Sequence, residues 1–383
     1  SSNYIQTIVL YPISLIVIHW HTTHTLTGLL FSRIRYYSKD SSLYSTKILK
    51  QSLVFTNLFS SFCIIMTSLE KQLKRLKTPQ TEAFRQQKYR VSFLYDRKEA
   101  AAIDCDTHAR LAHKGFKKLL KLNPALAQYE DLFSEQSKEV ERAVLQRDEN
   151  EQLSKLCRKY INNSIVPFFM LNDCHETLEY LIYKYQVHNY QTNDLLCALL
   201  PYHETRLFAR ALQVINNLDT TLWGWLEPYR KEGVAVPKQR IIDVLSSRSK
   251  LPLVTLLGDK LIEINRDSSR AGIYTSFYTT TMMCVLERDL DESFYQAFAQ
   301  HIDRAIKKSN NSNLFIAGLV LIGYLAYTQE LEESYLERMV ERLGKARNKL
   351  REKEEKNQQF LDEYYNKVLA VIKHQLDQHK NNK

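Results

Sequence analysis

From about residue 107 onward, apolar residues recur at helical spacing in short runs separated by only a few residues. Leu178, Leu181, Ile182 and Tyr185 fall at i, i+3, i+4 and i+7, and Leu207, Phe208, Ala211, Leu212 and Ile215 lie on one face of a later run. Helices this short are marginal in water, so each stripe must bury itself against a neighbour in sequence. The pattern predicts helices over about 107–122, 134–149, 151–162, 173–185, 194–200, 204–215, 239–247, 251–264, 268–287, 292–308, 313–327 and 331–343. An earlier helix is signalled by the capping-box spacing of Thr67 and Glu70, by Leu69, Leu73 and Leu76, and by the stop at Thr78-Pro79. Helix pairs recur about every 35 to 45 residues, the period of HEAT and armadillo arrays, without a strict sequence repeat. The fold expected is all-α, an irregular HEAT/armadillo-like helical solenoid.

Punctuation agrees. The 383 residues hold only 9 Gly and 8 Pro, too few for turn-rich β folds or Gly-looped nucleotide folds, whose tight turns draw on both. Residues 218–238, with Pro228, Gly233, Pro237 and two of the 3 tryptophans, read as a short helix and an irregular loop that interrupt the array.

The first 65 residues differ in composition, with Asp40 as the one acid against Arg33, Arg35, Lys39, Lys47 and Lys50. The first methionine is Met66. Residues 1–65 are therefore read as a non-native or disordered extension, 66–344 as the helical repeat region and 345–383 as a charged helical tail. Ile8 to Trp20 is apolar but only 13 residues long and contains Pro12. A membrane span needs about 20 apolar residues, so no membrane is expected, although a targeting or anchoring segment is the alternative. The tail reads as a solvated helix with i, i+4 Glu/Lys pairs; four acids between Glu352 and Asp362 dilute the other reading, a basic nucleic-acid arm. The net charge of +10 divides into +4 for 1–65, +4 for 341–383 and +2 for the array between them.

Motifs that carry chemistry are missing. The six cysteines are never closer than 17 residues, which excludes CxxC patterns and suits a reducing compartment. The sequons at Asn162 and Asn310 are chance matches. Gly318 and Gly323 have Walker-A spacing, but Tyr324 and Leu325 stand where Lys and Ser/Thr should be. His203-Glu204 is not followed by the second His of a zinc helix. Cys105, His108 and His113, like Cys174 and His175, lack a second nearby ligand pair, so no metal site is read there. Glu332-Glu333 and Glu354-Glu355 read as solvated surface. Tyr180, Tyr183, Tyr185 and Tyr190, from a total of 23 tyrosines, read as packing positions with the polar tip outward. No enzyme, cofactor or small-molecule substrate is expected.

Five segments, in order, carry a family resemblance: MTSLEKQLKRL at Met66 to Leu76, VSFLYDRKEAAAIDCDT at Val91 to Thr107, LFSEQSKEVERAVLQ at Leu132 to Gln146, TLEYLIYKYQVHNY at Thr177 to Tyr190 and LLPYHETRLFARALQVI at Leu199 to Ile215. Over 66–215 the chain resembles the N-terminal region of the large nucleolar HEAT-repeat proteins, known as HEAT-repeat-containing protein 1 in animals and U3 small nucleolar RNA-associated protein 10 in fungi. The resemblance implies a non-enzymatic scaffold of the small-subunit processome, the U3 ribonucleoprotein, located in the nucleus and nucleolus. It implies a role in pre-18S rRNA processing, a link to RNA polymerase I transcription, and processome proteins, pre-rRNA and U3 snoRNA as partners, directly or through the complex. An armadillo-like adaptor in transport or trafficking, anchored by its N-terminus, is the alternative. Pro201, Tyr202, His203, Glu204, Thr205 and Arg206 are the candidate partner contacts, because they combine strong resemblance with a polar corner between helices. Their structural alternative is that Pro201 stops one helix, His203 or Thr205 caps the next and Arg206 pairs locally.

Overall fold

Short polar residues start the helices. Asp104 accepts the Thr107 N–H at 2.9 Å, Asp291 the Phe294 N–H at 2.9 Å and Asn311 the Leu314 N–H at 2.9 Å, each satisfying a donor that the first helical turn leaves orphaned. A computed structural model describes residues 91–216, 218–308, 311–352 and 358–381. The 1–65 extension, the Thr67–Glu70 capping box with its helix, the Asn310 sequon and the Glu354-Glu355 pair lie outside the described residues. All that is described belongs to the unit Gln87–Lys383, and no strand occurs among the described residues.

Helices of eight or more residues are α1 (Cys105–Leu122), α2 (Arg147–Tyr160), α3 (Asn172–Tyr185), α4 (Thr192–Leu199), α5 (Arg206–Val214), α6 (Lys238–Leu245), α7 (Leu251–Asp267), α8 (Gly272–Leu286), α9 (Glu292–Lys307), α10 (Ser312–Thr328), α11 (Glu333–Arg351) and α12 (Gln358–Asn381). From α6 onward they form two layers, with α7, α9 and α11 in one and α6, α8, α10 and α12 in the other. Within each layer neighbours pack side by side, and hairpin partners pack across. This is the HEAT-type arrangement that the helix-pair period predicts.

Close approach between helices explains the Walker-like spacing. A Cβ on Gly318 would stand 2.8 Å from Ile306 of α9, and one on Gly323 would stand 3.0 Å from Val368 of α12. Both glycines are contact points of α10, not parts of a phosphate loop.

The expected helix at 134–149 is not formed. Pro124–Phe133 and Glu135–Glu139 are 3₁₀ segments, and the α-helix begins at Arg147. The cause is the burial pattern: Tyr129, Leu132, Phe133 and Ser137 face the core, while Val144, read as part of an α-helical stripe, is 76% exposed. The hydroxyls of Tyr180 and Tyr185 also point the other way from expectation. Tyr180 shares a 2.6 Å hydrogen bond with Ser137 Oγ, and the Tyr185 hydroxyl donates to Leu132 O at 2.9 Å. The 3₁₀ segments thus supply inward partners for both rings.

Among the described residues, the stretch set apart as a charged tail comprises the end of α11 and all of α12. α12 buries Leu361, Tyr365, Val368 and Ile372 against α10 and α11. Gln375 Nε2 donates to Gln329 O at 2.7 Å, and Arg347 Nε donates to Asp362 at 2.7 Å. Pairs of the i, i+4 kind do occur on its outer face, as in Lys367–Glu363 at 2.7 Å.

Candidate interaction site

Leu199 ends α4, and Leu200–Tyr202 turn once as a 3₁₀ segment with Pro201 inside it. The Tyr202 hydroxyl donates to Val166 O at 2.6 Å, and its ring packs on Phe169 with centroids 5.1 Å apart. His203 is buried. Its Nδ1 lies 2.7 Å from Val236 O, and Val236 N–H donates to His203 O at 2.9 Å, which pins the loop after the tryptophans to this corner. Thr205 caps α5, accepting the Phe208 N–H at 3.1 Å and donating to Tyr202 O at 2.8 Å. Of the six candidates, Tyr202, His203 and Thr205 therefore hold the fold. Glu204 and Arg206 are exposed and Pro201 is half-buried.

Four of the five family-like segments meet one another here. Glu179 on α3 accepts the N–H groups of Phe93 at 2.7 Å and Leu94 at 3.0 Å. Arg210 on α5 donates to Leu94 O at 2.7 Å. Lys184 Nζ donates to Lys138 O at 2.5 Å. Arg142 is buried, donating to Tyr185 O at 2.6 Å, to Gln191 at 3.1 Å, to Asn150 at 2.7 Å and to Ser154 Oγ, with Tyr190 4.1 Å from its guanidinium. Burial raises the Glu179 carboxyl above its usual range against the pull of its hydrogen bonds, and burial lowers the Arg142 guanidinium.

A second polar cluster fastens this clamp to the layered array. One π turn, Ile161–Ile165, continues α2, and Asn162 within it is fully buried, donating to Asp267 at 3.0 Å. Lys260 of α7 pairs with Asp194 of α4 and with Glu263 at 2.7 Å, and Arg158 of α2 reaches Asp194 at 3.0 Å. Glu179, Arg142 and Lys260 escaped sequence reading. For Glu179 and Lys260 the one signal was a charged residue set among apolar neighbours.

No family model matches the chain. HEAT repeat-containing protein 1 of Homo sapiens is 32% identical over 254 residues, covering 64% of this chain and 12% of that protein. The chain is a homologue of HEAT repeat-containing protein 1. The Danio rerio HEAT repeat-containing protein 1 is 27% identical over 293 residues, 73% of this chain and 14% of that protein. U3 small nucleolar RNA-associated protein 10 of Aspergillus oryzae is 25% identical over 261 residues, 67% and 14%. The chain thus spans only about an eighth of these relatives' length. The likeness to HEAT repeat-containing protein 1 extends beyond the 150 or so residues on which the resemblance rested, into the two-layer array.

In this homologue of HEAT repeat-containing protein 1, the residues once weighed as chemistry serve packing. Burial pushes the Cys157 thiol up to about 12 and those of Cys174 and Cys197 upward as well, which removes their nucleophilic form. His175 Nε2 lies 2.6 Å from Phe169 O, and His108 stacks on Tyr183 with centroids 4.5 Å apart. His188, 6% exposed, has its imidazole lowered by burial to about 4. The unfolded chain, with an ordinary value near 6.5, then takes up the proton first as pH falls. Stability is full above about pH 6.5 and drops between there and pH 4, by at most about 1.4 kcal/mol per unit from this residue. Urea titrations across that range are expected to show a shallower pH slope for His188→Phe; an unchanged slope would remove His188 from the acid response.

Proposed function

We propose that this chain is a non-enzymatic scaffold segment acting in ribosome biogenesis, within the small-subunit processome of the nucleolus, where it supports processing towards 18S rRNA and its coupling to RNA polymerase I transcription. The observation that carries this reading is homology along the clamp and array to proteins of which one is named for its association with U3 small nucleolar RNA. A solenoid suits a scaffold because its stacked helices give extended surface. Processome proteins are the proposed direct partners, held in part by the exposed edge of the corner at Pro201, Glu204 and Arg206. No helix among the described residues is long and apolar enough to cross a membrane. The array from Met66 onward is the proposed working part, with residues 1–65 dispensable.

A tagged chain beginning at Met66 is expected in nucleoli and in fractions that sediment with pre-rRNA, and depletion should raise 18S precursors. Unchanged precursors would overturn the reading; recovery with transport vesicles would favour an adaptor instead. Reversing the corner charges, Glu204→Lys with Arg206→Glu, should reduce co-purified processome proteins several-fold without moving the thermal unfolding midpoint.

A further inference from the structure

α1 carries five Lys/Arg against one acid, Asp106. Arg110, Lys114, Lys117 and Lys121 stand at i, i+4, i+7 and i+11, and all four are exposed. That spacing places them in one line of about 16 Å along the helix. The opposite face, with Ala109, Ala112, Phe116 and Leu119, is buried.

Several basic residues elsewhere in the array are neutralised by ion pairs. Arg304 pairs with Asp259 at 2.7 Å, Arg342 with Asp303, Arg347 with Asp362 at 2.7 Å and Lys260 with two carboxylates. On α1 only Lys118 is so used, 2.7 Å from Asp173. Among the described residues no carboxylate forms an ion pair with the other four. The acids around the line are committed: Asp106 holds Lys138 at 2.9 Å and Asp104 caps the helix. Asp104 and Glu176 lie within electrostatic reach of Arg110 and Lys114 without closing a bridge. At the far end, Arg270 donates to Leu122 O at 2.8 Å and rests on Phe168 at 5.5 Å, which sets a fifth cation at the helix terminus.

We infer that this face of α1 binds the phosphate backbone of RNA. Four uncompensated cations in a straight line on a convex helix surface match a regular polyanion, which needs phosphate-spaced charge and no pocket. The choice of RNA as the polyanion rests on the proposed role in ribosome biogenesis; the charge geometry stands without it. A net +2 over 66–340 does not reveal that four unpaired cations line up on one helix.

The test compares the full chain with the variant Arg110→Gln, Lys114→Gln, Lys117→Gln, Lys121→Gln, and with a matched control, Lys238→Gln, Arg240→Gln, Lys307→Gln, Lys308→Gln, whose positions are also exposed. Binding to a single-stranded RNA oligonucleotide is followed by fluorescence anisotropy from 50 to 200 mM salt, after circular dichroism establishes equal melting of all three. Four phosphate contacts contribute a slope of about −2.8 in log K against log salt. The wild type and control should therefore lose about 50-fold more affinity over this range than the α1 variant. Equal slopes for all three, or equal loss in the control, would overturn the site. So would a poly-glutamate peptide binding the wild type as tightly as RNA with the same dependence on α1. Nucleolar sedimentation of the α1 variant separates the two readings: retained sedimentation with lost RNA affinity supports both, whereas a wild type that binds RNA through α1 yet avoids nucleoli fails only the biogenesis reading.

Discussion

Lys260→Met is expected to lower stability by about 3–5 kcal/mol, read as a shift of the urea midpoint with unchanged slope. Lys260 is 5% exposed, in contact with Asp194 and Glu263. The methionine keeps the aliphatic volume but removes the positive charge, leaving two poorly solvated carboxylates with Arg158, 3.0 Å from Asp194, as the remaining cation. Breaking one partner of a buried pair is costly because the other stays behind uncompensated. The double variant Lys260→Met, Asp194→Leu should recover a large part of the loss, since both charges then leave together. A loss below about 1 kcal/mol for the single variant, the range of a surface pair, would show that the cluster is hydrated and does not hold α4 to α7.

Glu179→Leu is expected to cost about 2–5 kcal/mol, because one buried and one part-buried backbone donor lose their acceptor and each such orphan costs about 1–3 kcal/mol. The damage should be local first. Hydrogen exchange at Phe93 and Leu94 should accelerate, and protease should cut within 91–107 before it attacks the layered helices. Glu179→Gln keeps an acceptor oxygen and should retain most of the protection. If the amides of Phe93 and Leu94 exchanged equally fast in wild type and Glu179→Leu, the clamp would not operate through this carboxylate.

Local sequence carries some features of this fold and leaves others to distant contacts. Stripes such as Leu178–Leu181–Ile182–Tyr185 declare both a helix and its buried face, and Asp, Ser and Asn before a stripe declare its start, so most helices of the array were legible to within a few residues. The stretch 134–146 was not, because Val140 and Val144 mimic an α-helical stripe while the burial is carried mainly by Tyr129, Leu132, Phe133 and Ser137, most of them upstream of that stretch. The direction of the Tyr180 and Tyr185 hydroxyls depended on partners some 43 and 53 residues away, which local periodicity cannot locate. Half of the proposed corner proved to be internal bracing for the same reason: Tyr202 and His203 find their acceptors on Val166 and Val236. The α1 stripe, by contrast, was present in sequence as Arg110, Lys114, Lys117 and Lys121. Only the geometry of the surrounding carboxylates shows that these charges are left unpaired.

The alternation of layers from α6 to α12 bears on how such a chain is made. From α8 to α12 each helix packs against the helix two places earlier, so one of its partners has already been synthesised when it leaves the ribosome. Burial can then advance in step with translation, with little apolar surface waiting for a distant sequence. The clamp is the exception, since Glu179 closes on residues 85 and 86 positions earlier. Synthesis through α3 is therefore needed before this closure can form, whereas α8 to α12 can be added as a row of short-range closures.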